Sequence, residues 1–304
     1  MLSVPAGSKT TLGIVSAMRT YRHEENLYIH LSFGRVIDRL ASRFEKVYLC
    51  VPLIDGPPEP SRDYRLKSSH IEVIPQPPYG TSMGALAHPF GIARAYVQTC
   101  RKAGTLFIRG LCPFIAVLYA CARLWRCRVS HWIVSDPVRL LRTHRRAGWL
   151  TDTCSLAFAL QDRLWTRIGR RLTNGSLVCN GCEVANVFAS NKTVVTISST
   201  ITEGEFHERP DTCLDSTVEI LFVGFVRPEK GVEYLIEAVS RLGTDRRWRL
   251  TLVGPVDGYP AYYQRLEALI ARLGIGDRIR WAGYVSYGPD MFRKLREADL
   301  LVLP

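Results

Sequence analysis

The stretch ILFVGFVRPEKGVEYLIEAV, residues Ile220 to Val239, decides how the chain is read. Its uncharged run, Ile220 to Val226, suits a strand buried on both faces, and a helix is expected from Val232 to Leu242. Burial does not explain the basic pair Arg227 and Lys230 where the strand ends. In an open α/β sheet, ligands bind outside the carboxyl ends of the strands, where Gly224, Arg227, Lys230 and Gly231 all lie. A helix starting near Gly231 would offer unpaired N–H groups and a partial positive charge. Arg227 and Lys230 then read as a clamp for a diphosphate. The bland alternative is a solvated pair with Glu229 at a helix start.

Working outward, apolar runs alternate with helical patterns along nearly the whole chain, which is the signature of a parallel sheet covered by crossover helices. Upstream strands are expected near Leu12–Met18, Val47–Val51, Ile71–Ile74, Thr105–Ile108, Val129–Val134, Ser176–Cys179 and Val194–Ile197. Helices are expected over Tyr28–Phe44, Ala85–Lys102, Pro113–Arg126 and Thr153–Arg171, with the Pro-rich piece Pro52–Pro60 as a loop. Downstream, strands fall at Glu219–Val226, Arg249–Val253, Ile279–Tyr284 and Asp299–Leu303, and helices at Val232–Leu242, Tyr262–Leu273 and Asp290–Glu297. The expected division is a first domain over 1–205, a linker over 206–217 and a second, partial domain over 218–304. The chain stops directly after an apolar strand, so the second domain is expected to be incomplete at its C-terminal end.

A chain of 304 residues, 47% hydrophobic and 22% charged, is long enough for two cores. Its longest charge-free apolar run, Leu111–Ala122, is shorter than the roughly 20 residues a bilayer span needs. With no secretory signal pattern either, the cytoplasm is the expected location. Nine cysteines cannot all pair, most sit in apolar segments, and Cys179–Cys182 lacks a second pair at zinc spacing, so neither disulfides nor a metal site is expected. The net charge of +12 is unevenly spread. Residues 1–210 hold 27 Lys and Arg against 15 Asp and Glu, while residues 211–304 hold 13 of each.

The succession GFVRPEKGVEYLIEAVSRL, LTLVGP, IRWAGYVS and EADLLVLP resembles the nucleotide-sugar-binding domain of glycosyltransferase family 4. WIVSDP, LVCNGCEV and TISSTITEGEF resemble, less specifically, the later part of that family's acceptor domain. The resemblance implies the GT-B fold, two facing Rossmann-like domains with the active site between them, and sugar transfer with retention of configuration. It makes Lys230 the diphosphate-binding and catalytic lysine, with Gly224, Arg227 and Gly231 beside it. Gly254 marks the next βα turn, and Gly283, Tyr284 and Val285 supply backbone near the nucleobase. The donor is then a nucleoside-diphosphate sugar and the acceptor a polysaccharide, glycolipid or lipid-linked glycan.

Four departures stand out. Phe225 occupies the place directly after the strand glycine where many members have Arg, and Arg227 stands two places on. Ser135 stands where many members have His; Asp136 follows it and could act as a base or orient a hydroxyl, or could simply cap the next segment. The family's glycine-rich loop after the first strand is absent, and Arg19, Arg22 and His23 are found there instead. The family also places two glutamates, with seven residues between them, beyond the last strand present, so weak donor binding and little activity are expected of these 304 residues alone. No two aspartates are separated by a single residue, so no DxD metal device exists, and neither metal nor cofactor is expected.

The segment VRLLRTHRRAGWL sets Arg139, Arg142, Arg145 and Arg146 among leucines and Trp149. That mixture suits an anionic membrane face, hence a peripheral association at the inner face of the cell membrane, or a plain solvated surface. No RRM, KH, helix-turn-helix or zinc-finger pattern accompanies the charge, so nucleic acid is not expected. The alternative to an enzyme is a non-catalytic basic α/β module that binds nucleotide or an anionic membrane.

Overall fold

The computed structural model describes residues 10–304 except 82, 137, 140–148, 189–191, 198, 200, 214–216, 243–246 and 257. Two compact units, Met1–Thr200 and Ile201–Pro304, divide the chain.

In the first unit the elements run β1 (Thr11–Ser16), β2 (Thr20–His23), β3 (Asn26–Ile29), α1 (Leu31–Ala41), β4 (Lys46–Asp55), β5 (Tyr64–Arg65), β6 (Ile71–Gln76), α2 (Pro89–Lys102), β7 (Thr105–Arg109), α3 (Ile115–Leu124), β8 (Arg128–Ile133), α4 (Trp149–Thr173), β9 (Ser176–Asn180), α5 (Cys182–Val187) and β10 (Thr193–Thr196). The parallel core of its sheet has the order β6-β4-β1-β7-β8-β9-β10. Central strands β1 and β4 are buried almost end to end, as a sheet covered on both faces requires. Leu12 and Ile14 point to the layer under α1, with Phe33 and Ile37, while Val15 points to the layer under α2 and α3, with Ile92, Tyr96 and Leu118. Complete burial of Phe33 stabilises the fold by about 1.5–3 kcal/mol. Cys50, Cys100, Cys112, Cys121 and Cys127 all belong to the second layer, and none is in a disulfide.

All seven expected strands are present, but two local readings need correction. The helix expected from Tyr28 begins only at Leu31, because Tyr28 and Ile29 belong to β3, which pairs with β2 and β5. Burial of Ile29 in that hairpin outweighs its place in the helical pattern. The loop expected from Pro52 is partly strand: β4 runs to Asp55. Its pairing to β1 ends at Cys50 and its pairing to β2 begins at Leu53, so Pro52 falls in the gap between partners, where a missing N–H costs no ladder bond on that side.

Helix α4 lies against α3 through Gly169, where any Cβ would sit 2.2 Å from the buried ring of Tyr119. The Tyr119 hydroxyl donates to His131 Nδ1 at 3.0 Å, and His131 Nε2–H donates to the Gly110 carbonyl at 2.8 Å. Both ring nitrogens are thus satisfied in the neutral imidazole, and burial pushes His131 down to about 4.

The second unit contains β11 (Thr217–Val223), α6 (Val232–Ser240), β12 (Arg247–Val253), α7 (Pro260–Leu273), β13 (Ile279–Gly283), α8 (Pro289–Glu297) and β14 (Leu300–Leu301). Its strands are all parallel, in the order β13-β12-β11-β14. Phe222, Leu250 and Leu252 pack under Leu235, Ile236 and Leu266, while Leu221 and Val253 pack on the opposite face with Ala298 and Leu295. The polar stretch ahead of β11 belongs to this unit: Arg209 donates to the Arg296 and Asp299 carbonyls at 3.0 and 3.2 Å. Among the described residues no helix is long and apolar enough to cross a membrane.

Candidate functional site

Three glycines end three adjacent strands of the second sheet: Gly224 after β11, Gly254 after β12 and Gly283 closing β13. Backbone bonds stitch these ends together. Gly224 N–H donates to the Val253 carbonyl at 2.9 Å, and Gly254 N–H to the Gly283 carbonyl at 2.8 Å. At Gly254 a side chain is excluded outright, since φ is +155° and a Cβ would lie 1.7 Å from the Gly224 oxygen. Gly283 needs its glycine for another reason: φ is +64°, in the left-handed region, and its surroundings are open. The carboxyl edge is therefore a ledge of bare backbone, which a ligand can approach closely.

The turn above it follows from two anchors. Val226 at one end and Gly231 and Val232 at the other are buried, so of the intervening residues Lys230 alone is exposed, with Arg227 half-buried and the Glu229 side chain almost covered. Pro228–Lys230 forms a single 3-10 turn, closed by Lys230 N–H to the Arg227 carbonyl at 2.9 Å and Gly231 N–H to the Pro228 carbonyl at 3.1 Å. Gly231, at φ +61°, is both the end of that turn and the N-cap of α6. Lys230 is exposed and makes no ion pair among the described residues. Arg227 stacks 5.5 Å from the exposed Phe225 ring and stands 4.0 Å from the Glu229 carboxylate, a distance at which a pair contributes little. Its Nε is buried without a hydrogen-bond partner. Tyr284 and Val285 follow Gly283; Val285 packs with Leu221 and Val253 instead of facing outward alone. The structure thus brings Gly224, Gly254 and Gly283 onto one edge and sets Arg227, Lys230 and Gly231 in the turn that follows it.

The first unit treats its charged residues differently. Asp136 lies just past β8, where its Oδ2 accepts from Arg163 Nη2 at 2.6 Å and its Oδ1 accepts from Val138 N–H at 3.2 Å. Both of its oxygens are engaged, one of them in the capping bond that the sequence left as an alternative. Arg139 pairs with Glu183. Arg142, Arg145 and Arg146 lie outside the described residues, as does the side chain of Trp149, the first residue of α4. Arg19 and Arg62 both bind Glu59 at 3.0 Å, and Arg22 binds Asp55 at 2.7 Å.

Other residues of this edge escaped the sequence reading. Arg109 ends β7 with its guanidinium 4.6 Å from the Phe33 ring and 5.4 Å from that of Trp132, and its Nε has no hydrogen-bond partner. Burial pushes it down to about 10, so it stays charged at neutral pH. His30, the N-cap of α1, is lowered by burial first, then by the charges of Arg62 and Arg109. Asp162 of α4 is buried with one oxygen unpartnered, and desolvation pushes it up to about 7. An arginine closing the apolar run TLFIR is the same signal that exposed Arg227, and it was there to be read. Among the described residues no cluster of three or more His, Cys, Asp or Glu is placed to hold a metal ion.

Residues 217–304 match the family model of glycosyl transferases group 1. An uncharacterized glycosyltransferase of Methanocaldococcus jannaschii is 31% identical over 90 residues, and an alpha-D-kanosaminyltransferase of Streptomyces kanamyceticus is 35% identical over 96. Each match takes in 30% of this chain and only 22% of the relative's length. Over the whole chain the likeness is one of fold. Alr3699/HepE of Anabaena, solved in complex with UDP, superposes with a TM-score of 0.60 at 14% identity, covering 96% of this chain and 73% of that one. A glycosyltransferase from Rickettsia africae gives 0.60 at 15%, covering 97% and 72%. The fold class is therefore that of these two structures, α/β with Rossmann-like units of the GT-B type.

Proposed function

We propose that the second unit binds the diphosphate of a nucleoside-diphosphate sugar and that the protein transfers the sugar to a glycan, glycolipid or lipid-linked acceptor. The observation that carries this reading is the bare glycine edge at Gly224, Gly254 and Gly283, followed by a turn that exposes Lys230 and holds the half-buried Arg227 beside it. Negative charge grows on the diphosphate as the bond to the anomeric carbon lengthens. A cation about 4 Å from it contributes roughly 4 kcal/mol at an effective dielectric of 20, before desolvation. The start of α6 adds about 0.3–1 kcal/mol. Lys230, with Arg227 beside it, therefore dominates, and no divalent ion enters the scheme. Uptake of the sugar from the face the diphosphate leaves would retain configuration. An acceptor held at the inner face of the cell membrane fits the basic first unit, and the enzyme would work from the cytoplasm. Any use of Asp136 as a base would require its bond to Arg163 to open, so its nearer role is to position the segment after β8.

The competing reading, a basic module without catalysis, is separated by binding and turnover measured together. UDP, the nucleotide held by the Anabaena protein, and GDP are titrated into the wild-type chain and into Lys230→Ala. Sugar release from the matching nucleotide sugars is followed in parallel. Sugar transfer predicts micromolar to millimolar nucleotide binding that falls at least about tenfold in the variant, a loss worth about 1.4 kcal/mol. Nucleotide binding indifferent to Lys230→Ala would overturn the proposal.

A further inference from the structure

The first unit has a second polar feature, at the opposite, amino edge of its sheet. A cavity of about 630 Å³ opens there where β8, β9 and β10 begin, and Arg123, Arg126, Arg128 and Lys192 line it together with Asn174 and Leu172. No carboxylate is among its lining residues, and the three arginines make no ion pair among the described residues. Lys192 Nζ is held in place by donating to Asn174 Oδ1 at 2.6 Å.

Two helices end at this cavity in the same manner. After α3, Cys127 N–H donates to the Ala122 carbonyl at 2.9 Å and Arg126 N–H to the Arg123 carbonyl at 3.3 Å. After α4, Gly175 N–H donates to the Arg170 carbonyl at 2.9 Å and Asn174 N–H to the Arg171 carbonyl at 3.3 Å. Both are Schellman closures, whose left-handed residue is usually glycine. Here that residue is Arg126 at φ +54° and Asn174 at φ +52°. Asparagine tolerates the left-handed region; arginine does so only with strain. The backbone alone would favour glycine at 126, so the arginine stands there against local preference.

Cations near helix C-termini can serve simply to offset the helix dipoles, but the charges do not balance. Two helix ends contribute roughly −0.5 each, about −1 together, against the three arginines alone. An excess of about two positive charges remains around one open cavity, without counting Lys192. We propose that this cavity is a binding site for a phosphate-bearing anion, read bidentately by the arginines. The phosphate can belong to a soluble compound or to a lipid headgroup; the exposed Leu172 at its wall would meet the apolar part of either.

The test uses the full chain carrying Lys230→Ala, so that binding at the second unit does not contribute. Inorganic pyrophosphate is titrated at low salt, and flotation is measured with phosphatidylcholine vesicles with and without phosphatidic acid. Saturable binding of pyrophosphate or of the phosphatidic acid vesicles is expected, weakened about fivefold by Arg126→Gly and again by Arg128→Gln. The Arg126→Gly chain should melt at the same temperature or higher, because glycine relieves the left-handed strain, which separates lost binding from lost folding. Pyrophosphate binding without flotation assigns a soluble ligand, and flotation without pyrophosphate binding assigns a lipid. The proposal is overturned if neither probe binds, if both variants bind like their parent, or if the remote Arg39→Gln weakens binding as much as Arg126→Gly.

Discussion

The two parallel sheets of this chain end in opposite ways. At the carboxyl edge of the second, backbone is left bare by glycines at 224, 254 and 283, and Lys230 and Arg227 have at most one distant carboxylate between them. At the carboxyl edge of the first, most charged side chains are paired within the protein, Arg163 with Asp136 and Arg19 and Arg62 with Glu59. Arg109 and Asp162 are the exceptions: the first rests on the rings of Phe33 and Trp132 with its Nε unpartnered, and the second keeps one oxygen unpartnered. A shared topology thus supports either an edge of bare backbone or an edge largely filled by side chains. The difference lies in a few glycines and in how many cations are given an anion.

The largest effect is expected from closing the open edge. Gly254→Ala drives a methyl group into the Gly224 carbonyl at a backbone angle that alanine resists, and should cost about 4 kcal/mol or more. Urea unfolding should show the loss, and the proposed nucleotide binding should vanish with it. The filled edge is tested by Asp162→Asn. Asp162 titrates near 7 in the fold against an ordinary 3.8, so between these values the folded chain holds a proton that the unfolded chain has released. Stability from this group is therefore complete below about pH 4 and lost as pH rises to 7. The variant should equal wild type at pH 4 and exceed it at pH 8, by up to about 4 kcal/mol at 1.36 per unit. His131 works in the other direction, losing stability as pH falls from 6.5 to about 4, so in wild type the two slopes oppose each other and in the variant only the acid-side loss remains. Melting temperatures across pH 4–8 would check both.

Smaller still is Arg163→Ala, which leaves the mostly buried Asp136 without its partner and should cost about 2 kcal/mol by urea titration. The smallest change in stability belongs to Lys230→Ala, within about 0.5 kcal/mol, since its ammonium is exposed and unpaired among the described residues. If that substitution destabilised the fold as much as Arg163→Ala, the contrast between an open and a filled edge would fail.

The parallel strands were legible because buried strands read as continuous apolar runs between turn residues, as LGIVS and VYLCV do. The hairpin of β2 and β3 was not. Its strands TYRH and NLYI are four residues each, and its turn uses Glu24 and Glu25, both at positive φ, without the Asn or Gly that signals such a turn. At the candidate site, Lys230 and the glycines could be read from local sequence, since an apolar run broke directly into charge. Arg109 depends on rings from Phe33 and Trp132, and Asp162 sits in an amphipathic helix like any solvated acid. What places those two is tertiary packing, which no short window contains.

The layer of five cysteines beneath α2 and α3 makes the chain its own folding gauge. Burial pushes Cys50 up to about 11 and raises Cys112, and Cys100 is raised by its hydrogen bond with Cys127 and then by burial, so an alkylating reagent finds neither access nor thiolate there until that layer opens. Residues 201–304 contain a single cysteine, Cys213. Cys154 and Cys182 are exposed and label in the folded chain, so mass shifts beyond those two and Cys213 after a pulse of iodoacetamide would time the opening of the first unit.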